Sequence, residues 1–250
     1  AYETDFGALL ASLDAKTVAD GDTVSENTNE KTKVVFDWLK ENYGKNIISG
    51  QQASGAKQVE DILYYMQTGD LPAIKGFDFI YTTMPHNDNP SEWTDMAIEW
   101  HNKSGGLVSF CWHWNVPRDV NQDPESTAYA FYSEDITNFS LKNAVTPGTK
   151  EYEVVVHDID LIAIELQKLE AAGVPVLWRP LHEASGGWFW WGASGPEAYK
   201  ELYILLYDKL TNEYGLNNLI WVWNSPAPEG YPGDEYCDVI SRDVYLEKGA

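Results

Sequence analysis

The chain has 250 residues, 44% hydrophobic and 22% charged, a balance that excludes a disordered polymer and permits one large core or two small ones. Its 17 basic against 39 acidic residues give a net charge of −22. A phosphate backbone would repel such a chain, so nucleic acid is excluded as a partner.

No run of about 18 apolar residues is present, which removes a membrane-spanning helix, and no basic segment leads into an apolar one at the start. The chain therefore reads as a cytosolic protein or as the mature form of a secreted one.

Six short apolar runs read as buried strands, and each begins apolar and ends polar or aromatic. In chain order they are 46–51 (NIISGQ), 73–81 (AIKGFDFIY), 106–114 (GLVSFCWHW), 174–183 (VPVLWRPLHE), 218–224 (NLIWVWN) and 238–245 (DVISRDVY). Helical spacing places helices at 33–43, 56–67, 92–103, 152–172 and 196–214, with a long polar stretch at 115–150. Pro196 after Gly195 marks a helix start, and Gly215 marks its end. Strand–helix alternation demands a parallel sheet.

A doubly wound sheet and a (β/α)8 barrel both fit this alternation. After the first strand the sequence reads GQQASGAK, without the glycine fingerprint of a nucleotide site. Polar residues gathered at several strand C-termini favour the barrel. A closed barrel needs eight strands, and six are visible. The expectation is a single catalytic barrel domain over residues 1–250, with strands seven and eight missing from it.

The chemistry concentrates in WRPLHEASGGWFWWG, residues 178–192. Glu183 there has tryptophans close behind it, and apolar walls disfavour a carboxylate. A glutamic acid kept protonated near neutrality can protonate a departing glycosidic oxygen. The plain alternative is an ion pair between Glu183 and Arg179. Gly186 and Gly187 permit a tight approach, and the rings of Trp188 and Trp191 suit the face of a sugar.

His113, between Trp112 and Trp114, is either a hydrogen-bonded structural residue or part of the site. Asp243 and Tyr245 could bind a sugar hydroxyl or orient a proton-transfer group, while Asp243 could equally pair with Arg242. Trp221 and Trp223 alternate in the fifth strand, one toward the core and the other toward the helices or the cleft. The two cysteines, Cys111 and Cys237, read as buried thiols. No Cys/His cluster has metal-ligand spacing, and no metal or cofactor is expected.

RPLHE followed by G-x-W-x-W-W-G resembles glycoside hydrolase family 26, whose best-known members are endo-β-1,4-mannanases. SGQQ at 49–52, WHW at 112–114 and D-x-Y at 243–245 occur in the family's order. The resemblance implies a (β/α)8 barrel that hydrolyses with retention, with Glu183 as general acid/base and His182 as its neighbour. It also implies that Trp188 stacks near the scissile bond and that His113, Asp243 and Tyr245 line the cleft; Arg179 is read from the residues themselves as a further substrate-side group that holds and tunes Glu183. The substrate it implies is β-mannan, glucomannan or galactomannan, cleaved outside the cell by a monomer.

Mixed-linkage β-glucanase and β-1,3-xylanase are alternatives within the family, and a non-catalytic sugar binder lies outside it. Retention needs a second carboxylate about 5–5.5 Å from the first. In the family it is a glutamate ending strand seven, so it is expected beyond residue 250.

Overall fold

The computed structural model describes residues 21–55, 59–123, 125–225 and 227–245. Its main sheet has six parallel strands: β1 (Gly50–Gln52), β2 (Ile74–Asp78), β3 (Leu107–Cys111), β6 (Val176–Arg179), β7 (Leu219–Asn224) and β8 (Val239–Ser241), hydrogen-bonded in that order. The sheet curls as the arc of a barrel. β4 (Val116–Pro117) and β5 (Tyr129–Ala130) form a separate antiparallel ribbon.

The helices are α1 (Glu30–Asn42), α2 (Val59–Thr68), α3 (Glu92–Ser104), α4 (Leu141–Ala144), α5 (Lys150–Ala171) and α6 (Pro196–Tyr207). Capping explains several boundaries. Asn29 accepts the backbone N–H of Thr32 at the start of α1, and Thr149 accepts that of Tyr152 at the start of α5. α6 opens with Pro196 at its first turn, as the sequence indicates. The chain continues from it as a π-helical turn, Asp208–Glu213.

The core lies where β3, β6 and β7 meet α5 and α6. Val108, Phe110, Val176, Trp178 and Trp221 are completely buried there, in one cluster with Ile159, Ile162, Leu202 and Leu206. Every residue of β7 is buried, the continuous apolar signature of a parallel strand covered on both faces. Trp221 and Trp223 are both buried, so neither reaches the cleft. Cys111 and Cys237 are buried free thiols, as expected.

The paired strands end earlier than their apolar runs suggest, because each polar tail turns away from the sheet after its last ladder bond. β2 stops at Asp78, β3 at Cys111 and β6 at Arg179, and these three residues lie side by side in register. Glu183, His113 and Asp243 therefore sit on turns just past their strands rather than in them.

The first strand is shifted. Only Gly50–Gln52 pair, with β2 alone, and Ile47 is fully exposed. The stretch expected to be plain polar, 115–150, holds the β4–β5 ribbon and α4. Of the predicted second helix, residues 56–58 lie outside the described residues.

Candidate active site

The polar strand ends enclose a cleft of about 610 Å³. Arg179, His182, Glu183 and Trp188 from the β6 side meet Asp78 and His113 from β2 and β3, and Asp243 and Tyr245 from β8. Of the substrate residues expected from sequence, all but Trp191 line this cleft.

Glu183 sits on the turn after β6 with a φ of +57°, and Leu181 has +51°. Both are in the left-handed region that side chains disfavour, and such strain persists only where the surroundings hold it. The Glu183 amide donates to both the carbonyl and the side-chain Oδ1 of Asn224, each at 3.0 Å. Asn224, the buried last residue of β7, in turn donates from Nδ2 to Ser241 Oγ at 2.8 Å. The turn is thus pinned across three strands. The Tyr245 hydroxyl donates to the Glu183 carboxylate. That bond, assisted by burial and nearby acidic charge, pushes the phenol up to about 12, so it remains a donor.

Arg179 pairs with Asp243 at 3.0 Å. This replaces the plain alternative in which Arg179 neutralises Glu183. The guanidinium, last in β6, reaches across the mouth of the cleft.

His182 is buried beside Glu183, and burial, with the charges of Arg179 and His113, pushes its proton affinity down to about 2. It is therefore neutral. Its Nε2 lies 3.2 Å from Nε2 of His113. His113 is gripped in turn by Asp78, whose Oδ1 accepts the backbone N–H at 3.0 Å and whose Oδ2 accepts Nδ1–H at 2.5 Å.

Trp191 requires a correction. It is completely buried, and its indole N–H donates to the His182 carbonyl at 2.9 Å. The ring supports the cleft from beneath and offers no face to a ligand. Trp190 is likewise buried, donating to the Trp114 carbonyl at 2.7 Å. Only Trp188 is open, 43% exposed. Its ring lies directly on Gly186, where an added Cβ would meet ring carbons at 2.1 Å, so the glycine is what lets the indole lie flat.

Sequence reasoning missed Gln52, Asp78, Asn224, Tyr132 and Phe189. Asn224 obeyed the rule already used, a polar residue closing an apolar run, whereas Asp78 is a charge inside the run 73–81. Tyr132 carried no local signal. It reaches the cleft because the ribbon docks on the tryptophan loop, with Ser133 N–H donating to the Trp188 carbonyl at 2.7 Å.

Asp78, Cys111 and His113 place three ligand-type atoms within 4.8 Å of one another, the only such group among the described residues. They do not fit an ion. Asp78 and His113 are closer than the roughly 3.3 Å between two ligands on a tetrahedral zinc, and burial, with the Asp78 charge, pushes the Cys111 thiol up, away from the thiolate.

The model of glycosyl hydrolase family 26 matches residues 24–250. The chain belongs to that family. It is 42% identical over 225 residues to a mannan endo-1,4-β-mannosidase of Thermothelomyces thermophilus, covering 88% of this chain and 45% of that one.

Among solved structures, the Podospora anserina GH26-CBM35 β-(1,4)-mannanase superposes with a TM-score of 0.80 at 42% identity, covering 91% of this chain and 51% of its own. A β-mannanase from a symbiotic protist of the termite Reticulitermes speratus, complexed with gluco-manno-oligosaccharide, superposes with 0.81 at 35% identity, covering 91% and 73%. The six parallel strands are accordingly those of a (β/α)8 barrel. The chain spans about half the length, or less, of the fungal relatives it matches.

Proposed function

We propose that this chain carries the acid/base side of a retaining endo-β-1,4-mannanase that cleaves mannan, glucomannan or galactomannan outside the cell. The observation that carries the reading is Glu183, held on a strained turn at a cleft mouth beside the open face of Trp188. The Thermothelomyces relative and the two solved neighbours described above bear mannanase names, which supports mannan over other β-glycans.

Trp188 stacks on a sugar ring, and Glu183 protonates the glycosidic oxygen of the bond beside it. Tyr245 orients the Glu183 carboxyl, while Arg179 and Asp243 together offer donors and acceptors to sugar hydroxyls. His113 and His182 form the floor. The enzyme acts as a monomer without a cofactor.

Retention requires a second carboxylate close to Glu183. Asp243 is committed to Arg179 and Asp78 to His113. The nucleophile is therefore assigned to a residue outside the described ones.

The test is release of reducing ends from soluble β-1,4-mannan by the full-length protein, with lichenan as comparison. Mannan should be cleaved and lichenan spared, and Glu183→Ala should lower turnover by roughly 10²–10⁴-fold without unfolding the protein. Cleavage of lichenan in preference to mannan would reassign the enzyme to β-glucans. A folded protein that cuts neither polymer would refute the hydrolase.

A further inference from the structure

Asp78 is the one carboxylate of the cleft that the proposed mechanism does not use, and its two oxygens are both spent on one residue. Oδ1 faces the backbone N–H of His113 and Oδ2 faces Nδ1 of its ring. Register explains the reach, since Asp78 ends β2 directly beside Cys111, and His113 follows two residues later.

We infer that Asp78 is a positioning residue, which fixes the proton of His113 on Nδ1 and so sets the direction of the His113–His182 hydrogen bond. This rests on the reading of the cleft as the site of hydrolysis, although its chief test does not.

The proton logic is closed on every side. An ionised carboxylate only accepts, so Nδ1 of His113 must carry hydrogen. A hydrogen on Nε2 as well would push the His182 hydrogen onto its buried, partnerless Nδ1, so Nε2 of His113 is the bare nitrogen. It accepts from Nε2–H of His182, 3.2 Å away. The remaining nitrogen of His182, Nδ1, is buried without a partner among the described residues, and in this arrangement it is a bare acceptor rather than a stranded donor.

His182 immediately precedes Glu183. Its ring is held by His113, its carbonyl by the Trp191 indole, and the following amide by Asn224. Asp78 therefore acts on Glu183 through two histidines without touching substrate.

Asn at position 78 has the same shape but inverts this logic. The backbone N–H of His113 can only donate, which pins the new side-chain oxygen against it. The amide NH₂ is left facing Nδ1, so Nδ1 must lose its proton and Nε2 must gain one. His182 then has to move its own proton to the buried Nδ1.

The experiment is nitrogen NMR of the histidine rings in the full-length protein labelled with ¹⁵N-histidine. The chain has 5 histidines, and His113 is assigned by loss of its signals in His113→Gln. The native protein should show a protonated Nδ1 and a bare Nε2 at His113. Asp78→Asn should exchange the two and lower kcat on mannan by roughly 10²-fold, with KM little changed. Asp78→Glu should restore both the native tautomer and most of the turnover.

A proton on Nε2 alone in the native protein, or an unchanged tautomer in Asp78→Asn, overturns the proposal. The native spectrum decides the matter even if Asp78→Asn fails to fold. The expected tautomer in a folded protein that cuts neither mannan nor lichenan would support Asp78's role and refute the hydrolase.

Discussion

The cleft floor and the tryptophan column beneath it are built from the same residue types and put to opposite uses. Below, Asp158 on α5 accepts the Trp114 indole N–H at 2.7 Å, and the Trp114 carbonyl accepts that of Trp190. All three are buried, and burial pushes the Asp158 carboxyl up to about 8. Above, Asp78 meets two N–H groups of one histidine, and Trp188 lies open on Gly186. A buried acid with one donor serves as a hydrogen-bond acceptor that need not be charged. An acid with two donors, beside a second ring and a cavity, sets proton positions.

The sharpest way to break this contrast is to remove one ring from each region. Trp190→Ala leaves a large cavity and strips the Trp114 carbonyl of its partner, so it should cost about 3–5 kcal/mol in chemical denaturation. Trp188→Ala should stay within about 0.5 kcal/mol of the native protein while weakening binding of mannohexaose measured by calorimetry. Equal losses of stability would mean that Trp188 belongs to the core and that the cleft lacks its sugar platform.

Between the two regions stands Asn224, which touches both the strained turn and β8. Asn224→Ala leaves the Glu183 amide with only the backbone carbonyl and Ser241 without its amide partner. A loss of about 1–2 kcal/mol is expected, with a fall in turnover larger than that loss of folded protein explains. Turnover that merely tracks the folded fraction would show that the turn holds itself.

The contrast also marks what the sequence could reveal. The parallel alternation, the polar ends of the strands and Glu183 behind RPLH were legible because they are local patterns with a physical period. The strand ends were not, since Arg179 and Glu183 belong to one continuous run and only the ladder with β3 shows where pairing stops.

WFWW likewise gives no hint of which rings face outward. Trp190 and Trp191 turn inward through a 3₁₀ turn, Trp190–Gly192, which brings Gly192 against the Ala184 carbonyl, with no room for a side chain. Tyr132 reaches the cleft by a ribbon contact across more than fifty residues, a distance at which no periodicity speaks. Asp78 was readable in principle, because a carboxylate inside the strand run AIKGFDFIY demands a partner as much as the charges in RPLHE do.

The finest discrimination between the two regions comes from pH. In the folded protein Asp158 holds its proton up to about pH 8, whereas in the unfolded chain it releases it near 3.8. Over that interval the native state binds the extra proton, so this group makes stability fall as pH rises from about 4 to about 8 and leaves it level above. Asp158→Asn keeps an oxygen for the Trp114 indole and cannot ionise. It should therefore match the native protein near pH 4 and exceed it by at least about 1 kcal/mol near pH 8.

Asp238, which burial pushes up to about 6, contributes a slope of the same sign between about pH 4 and 6. It is present in both proteins and drops out of the difference between their denaturation midpoints. A difference that stays flat across pH 4–8 would mean that Asp158 is charged in the fold. The column beneath the cleft would then hold an ion as the floor does, and the contrast between the two acids would rest on their partners alone.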